Sequence, residues 1–193
     1  GRISSVLNIT GKEANKEKFV GVAGIGLLTS KLNLEIPLWK ERTSLLLSGR
    51  TTYSDWIMGM LPEKSGYKDG KAGFYDIGAT FSHTFNKYHK LNIYGYYSRD
   101  RFAFNDNEKY GYGNMNISAH WRAIFSEQFM ANFSAGYDHY DYVTKNWQKD
   151  YDAYKMGYDI NQYYLKMDFT RRQWQNHKLD WGASAMMYEI NPG

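Results

Sequence analysis

From residue 114 to residue 125 the chain reads NMNISAHWRAIF. Met115, Ile117, Ala119, Trp121, Ala123 and Phe125 are apolar, while Asn114, Asn116, Ser118, His120 and Arg122 between them are polar. A period of two predicts a strand with one wet face and one apolar face. The same alternation recurs along most of the chain. Leu32, Leu34, Ile36 and Leu38 alternate with Asn33 and Glu35, and Leu45, Leu47 and Gly49 with Ser44, Ser48 and Arg50. Tyr75, Ile77, Ala79, Phe81 and Phe85 share a face with His83, and Phe129, Ala131, Phe133, Ala135 and Tyr137 form another such set. Tyr163, Leu165, Met167 and Phe169, then Leu179, Trp181, Ala183 and Ala185, complete the pattern. It predicts an all-β, antiparallel protein of consistently two-faced strands.

Short and long connections take turns between these runs. WKER at 39–42, NKYHK at 86–90, SEQ at 126–128 and RRQWQNH at 171–177 are short. Long polar or Gly-containing stretches are expected at 54–72, 103–112 and 144–156. Strands of about 10 to 14 residues joined in this rhythm match the wall of a transmembrane β-barrel, with turns at one end and loops at the other. The polar set, rich in Asn, Ser, Thr, Asp, Gln and Gly, suits a watery lumen, so outer-membrane lipid is the expected partner of the apolar set. Tyr94, Tyr96, Tyr97, Phe102, Tyr137, Tyr140, Tyr142 and Trp147 are expected to form an aromatic girdle towards the loop end. The alternative is a self-contained soluble β-sandwich or barrel whose apolar faces meet in a core and which binds a ligand or protein partner. Counting from Phe19 predicts about nine strands, the first two short or kinked around Gly24, Gly26 and Ser30. An odd number does not close the usual single-chain bacterial barrel, so a segment of a larger wall is expected.

Composition sharpens this picture. The 193 residues have a mean hydropathy of −0.66 and no apolar run long enough for a spanning helix. Aromatics make up 18% of the chain, with 18 Tyr, 10 Phe and 6 Trp beside 18 Gly and only 3 Pro, which suits a large sheet and a membrane interface. With no Cys, a disulfide framework, a thiolate metal site and a Cys nucleophile are excluded. No secretory signal stands at Gly1, and the chain reads as an excised or processed piece. The formal charge is +4, but the 24 Lys and Arg are dispersed, so no nucleic-acid partner is expected.

GRISSVLNIT, then FVGVAGIGLLTSKLNLEIPL, then SLLLSGRTTYSD resembles TonB-dependent outer-membrane receptors of the branch common in gut commensal bacteria. In that family a plug domain ends in a strand of the form GGRISSVLDI, and the barrel begins shortly afterwards with a Gly-rich strand, a bend and a second strand ending near a Pro. The resemblance implies that residues 1–10 are the end of the plug. Residues 19–193 would be the N-terminal part of the outer-membrane barrel, which has 22 strands in the family. It implies active nutrient uptake at the bacterial outer membrane, with a nutrient ligand and with TonB contacting a region N-terminal to this chain. A surface lipoprotein at the mouth is a further implied partner. The RISSVLNI ending differs from that of the starch-utilisation receptors, so no glycan is assigned.

Candidate chemistry is sparse. The His residues at 83, 89, 120, 139 and 177 share no metal-ligand spacing, and in DHYDY only Asp141 lies on the same side of a strand as His139. GVAGIGLLTSK lacks the Gly-Lys-Ser/Thr order of a phosphate loop. No Ser-His-Asp order, paired carboxylates or nucleophile elbow appears, so neither an enzyme nor a cofactor is expected. Two aromatic loops are the candidate ligand-binding elements. One contains Trp56 and Tyr67, and reads either as a mobile binding loop or as a short helix resting on the rim. The other contains Trp147, Tyr151, Tyr154 and Tyr158, set among Lys145, Lys149, Asp150 and Asp152.

Overall fold

A computed structural model describes residues 11–39, 41–60, 62, 64, 70–103, 108–146, 153–173 and 177–192. The expected plug tail, residues 1–10, lies outside the described residues. Nine strands follow in chain order: β1 Val20–Ile25, β2 Thr29–Trp39, β3 Thr43–Thr52, β4 Lys71–Thr84, β5 His89–Ala103, β6 Glu108–Ser126, β7 Phe129–Asn146, β8 Tyr154–Gln173 and β9 His177–Asn191. A single turn of helix, α1, Asp55–Met58, stands between β3 and β4. Each strand pairs antiparallel with the next, giving one sheet in the order β1 to β9. The all-β antiparallel expectation and the count of nine both hold. No described helix is long and apolar enough to cross a membrane, which says nothing of crossing by strands.

The sheet is open. Because every neighbour reverses direction, β1 and β9 run the same way, and joining them would require a parallel pair that an all-antiparallel barrel does not contain. All nine described strands lie in this one sheet, so they form no sheet-on-sheet core of the sandwich kind.

Register turns the alternation into two continuous faces. Ile93, Ala119, Ala135, Leu165 and Ala185 are successive cross-strand partners in one row, as are Asn92, His120, Ser134, Lys166 and Ser184 in the row beside it on the other face. Along β6 the apolar face runs from Met115 to Phe125, partnered by Tyr97, Ile93 and Leu91 of β5 and by Tyr137, Ala135, Phe133 and Ala131 of β7, with His89 and His139 interrupting it and a register shift at Phe125. This face is not covered: Ile77 is 58% exposed, Ile117 and Leu165 47%, and Trp121 40%. Among the described residues the only buried apolar side chains are Ala14, Ala103, Ala123 and Ala131. An apolar face this extensive exceeds what ordinary soluble monomers leave bare.

The aromatics on this face gather in two belts. Near the short turns, Trp121 stacks on Phe133 at 5.2 Å, Phe133 meets Phe169 edge-on at 5.9 Å, and Phe169 stacks on Trp181 at 5.6 Å. Phe125 and Phe129 extend the belt with centroids 5.4 Å apart. Nearer the loops, Tyr75 lies 6.0 Å from Tyr97 and Tyr137 lies 5.0 Å from Tyr163. Between the belts the face is Leu47, Ile77, Ala79, Ile93, Ala119, Ala135 and Leu165. The loop-end girdle expected from sequence is corrected here. Tyr97 and Tyr137 belong to it, whereas Tyr94, Tyr96, Phe102, Tyr140 and Tyr142 have the opposite parity and stand on the polar face. Trp147 lies outside the described residues.

Two further boundaries move. The connection expected at 103–112 loses both ends, because β5 runs through Ala103 and β6 begins at Glu108. Its first residues alternate Tyr110 and Tyr112 with Gly111 and Gly113, and the glycines disguised a strand as a loop. At 19 residues for β6 and 20 for β8, the strands also outrun the expected length.

Candidate functional site

The polar face is where side chains of different strands converge, and the chain places a segment of itself upon it. Residues 11–18 lie across the short-turn half of this face before β1 begins. Glu13 Oε1 accepts a charge-assisted bond from Lys90 Nζ of β5 at 2.5 Å, and Lys16 Nζ lies 3.5 Å from Glu13 Oε2. Lys16 Nζ also donates to Thr84 Oγ1 of β4 at 3.1 Å, while its carbonyl accepts from Glu41 N. Lys12 Nζ and the backbone N–H of Asn15 both donate to the Glu35 carboxylate of β2. Gly11 passes so close to the Tyr94 ring that a Cβ there would collide with it. Burial pushes the Glu13 carboxyl up, but the ammonium groups of Lys90 and Lys16 outweigh it and hold the group below the usual carboxylate range. Beside Gly11, at the start of this strap, an open pocket of about 670 Å³ lies on the polar face, lined by Ser48, Thr80, Tyr94, Asn116, Ser118 and His120 among others.

Towards the loops the same face becomes a shelf of tyrosines. Tyr112 and Tyr142 are cross-strand partners with centroids 5.1 Å apart, Tyr142 and Tyr158 another pair at 5.2 Å, and Tyr140 lies 5.9 Å from Tyr158. Just below the shelf a crevice of about 360 Å³ is lined by Tyr96, Asn114, Asn116, Asp138, Tyr140 and Gln162 among others. Asn116 Nδ2 donates to Asp138 Oδ1 at 2.5 Å, and Asn114 Nδ2 to Ser98 Oγ at 3.3 Å. Planar amides, a carboxylate and aromatic rings of this kind hold the polar and apolar parts of a small ligand at once.

Of the candidate binding residues, Trp56 and Tyr154 fall within the described part; Tyr67, Trp147 and Tyr151 lie outside it. Trp56 sits in α1, so the short-helix alternative is the one observed. Its Nε1 donates to the Leu27 carbonyl at 3.1 Å, while Tyr53 OH donates to the Gly26 carbonyl at 2.5 Å. The indole N–H thus pins the turn between β1 and β2, and the ring stays 44% exposed. Tyr154 opens β8 opposite Asn146, 51% exposed, on the face that carries Tyr142 and Tyr158. The structure does not bring Trp56 and Tyr154 together through any contact. Sequence reading named Tyr158 but missed Tyr112, Asp138 and Gln162, which the structure places beside it on the polar face. Carrying the parity of Asn116 onward along each strand would have found them.

On the apolar side, the face turns polar beyond the tyrosine belt. Arg99 Nη1 donates to both oxygens of Asp141 at 2.8 Å, across the intervening strand β6. That reach requires Gly113, the cross-strand partner of both residues, because a Cβ at Gly113 would occupy the space of the ion pair. Gly113→Leu is expected to cost about 1–3 kcal/mol by overpacking. Gly111→Ala is expected to be tolerated, since its nearest atoms are 3.9 and 4.0 Å away; equilibrium unfolding of the two variants compares them. His139 Nε2 lies 3.8 Å from Asp141 Oδ1, as the parity of DHYDY predicts, and its Nδ1 is 2.7 Å from Asn161 Oδ1. Among the described residues no group of three His, Asp or Glu is arranged to hold a metal ion. No protein-family model matches the chain, and a search of curated proteins returns no match.

Proposed function

We propose that the chain is part of the wall of an outer-membrane β-barrel, of the kind found in TonB-dependent receptors for nutrient uptake. In this reading the apolar face meets lipid, the polar face lines the lumen, and the loop-end tyrosines stand at the mouth where a nutrient is captured. One observation carries it: a bare aliphatic band flanked by an aromatic belt on each side. From Phe129, the outer residue of the short-turn belt on β7, to Tyr137 in the loop-end belt is eight residues, about 26 Å along the strand, with Phe133 of the first belt between them. A strand tilt of 35–45° shortens this span, the short-turn belt included, to about 20 Å, against the ~25 Å apolar band of barrel walls. The open edges and parallel end strands fit a segment of a larger wall. Residues 11–18 connect the segment that resembles a plug tail to β1, and their docking on the polar face fits a lumen occupied by a plug. The reading assigns the chain no catalysis, and transport belongs to the whole receptor.

Lipid quenching tests the lipid-facing assignment. Single cysteines from Met115 to Arg122 carry a fluorophore in bilayers. Positions 115, 117, 119 and 121 are expected to respond to brominated lipid, and 116, 118, 120 and 122 to an aqueous quencher. Odd positions shielded from both quenchers would place that face in a protein core and end the membrane reading.

A further inference from the structure

Beyond the tyrosine belt, the face that carries the apolar band becomes basic, whereas on the opposite face Arg50, over the Phe74 ring, is paired with Asp76 at 2.8 Å. Lys71, Lys109, Lys145 and Lys155 stand in one lateral row: Lys71 is partnered with Ala103, Ala103 with Lys109, Lys109 with Lys145, and Lys145 with Lys155. One step closer to the belt, Arg101 projects from β5 between Gly73 and Gly111, its two cross-strand partners, which give the guanidinium room on both sides. Arg101, Lys71, Lys109 and Lys155 are exposed. The acidic side chains at this end of the face are partly engaged: Asp141 holds Arg99, and Asp159 Oδ1 accepts from Asn191 at 3.2 Å. At the same height the opposite face presents Asp100, Tyr112, Tyr142 and Tyr158. The lysine row and Arg101 therefore stand beside the apolar band and not on the polar face.

We infer that this row and Arg101 form a binding rim for phosphate-bearing lipid headgroups; the inference rests on the membrane reading above. Position decides the occupant. Arg101 lies four residues beyond Tyr97 and the lysine row two residues further, about 13 and 20 Å along the strand. With a 35–45° tilt these become about 10 and 15 Å above the tyrosine belt. Long basic side chains bend back towards the interface from that height, keeping their stems on the apolar edge and their charges among the headgroups. Anionic headgroups attract each Lys or Arg placed at the surface. Lateral neighbours of like charge repel, and a phosphate layer beside the row lowers that repulsion. A soluble anion would gain the same charges without the adjoining apolar band, so the surface fits a lipid.

The test reconstitutes the full chain in vesicles of equal parts phosphatidylglycerol and phosphatidylcholine, extracts it gently, and measures by native mass spectrometry which lipid stays bound. The anionic lipid is expected to be retained roughly tenfold more than the neutral one, a preference that salt weakens. The Arg101→Gln/Lys155→Gln pair is expected to bring the ratio near one. A Lys166→Gln/Lys178→Gln pair on the opposite face is expected to leave it unchanged. Equal retention of the two lipids by the unmodified protein overturns the rim while the membrane reading stands. So does displacement of phosphatidylglycerol by an equal concentration of inorganic pyrophosphate, which would make the rim a soluble-anion site. Failure to insert into any vesicle overturns the membrane reading and the rim with it.

Discussion

Arginine in place of Leu165 is expected to lower the stability of the protein in lipid bilayers by about 2–4 kcal/mol, whereas arginine in place of Leu179 costs about 0–1 kcal/mol. Both residues lie on the apolar face, partnered with Ala135 and Ala185 in one case and Arg171 in the other. Leu165 is midway between the aromatic belts, and Leu179 lies beyond Trp181 near the turn end. The contrast isolates depth, because both side chains are exposed in the structure and neither substitution fills a packed core. Position 166, next in the chain, already carries a cation on the other face, where Lys166 Nζ pairs with Asp168 at 2.8 Å. A charge at 165 is thus a change of side and not of strand. Denaturant titration of the two variants in vesicles measures the difference. Equal costs at the two depths would contradict a bilayer along this face.

The pattern of the sequence contained the sheet, its strand number and its two faces, because a period of two has few other physical solutions when it recurs along a chain with only 3 Pro. Its misreadings share one cause. Tyrosine is amphipathic, so Tyr140 and Tyr142 read as girdle residues when only their parity with Asp138 places them on the polar face. Glycine carries no hydropathy signal, so Gly111 and Gly113 read as loop, although Gly113 is what lets Arg99 reach Asp141. The strap was invisible for a different reason. Glu13, Lys16 and Lys90 are ordinary charged residues in sequence, and only the turn into β1 brings the first two over the third. Trp56 was legible as a rim aromatic, but its bond to the Leu27 carbonyl depends on a tertiary approach that no local pattern encodes.

Acidification is expected to release the strap from the polar face. Glu13 has a folded-state pKa below its ordinary value, so the undocked segment binds its proton more readily than the docked one. Docking is therefore fully favoured above the ordinary carboxylate range and is lost as pH falls through the depressed folded value. The chain has no cysteine, so a single one at the exposed position Glu17 can carry a spin label that reports the segment's motion. The label is expected to be immobile at neutral pH and to loosen in acid. Glu13→Gln weakens the pH dependence and leaves the share carried by Glu35, the other carboxylate that the segment engages through Lys12 and the Asn15 N–H. Glu13→Lys goes further, setting a third ammonium group beside Lys16 and Lys90, and is expected to raise the undocked fraction roughly tenfold, a change on the order of 1.4 kcal/mol. Lys12 lies at the other contact, with Glu35, so Lys12→Gln weakens docking while leaving the Glu13 transition in place. A label whose mobility ignores both pH and Glu13→Lys would show that the segment is held by backbone packing around Ala14, which is 5% exposed, and not by the charges that surround it.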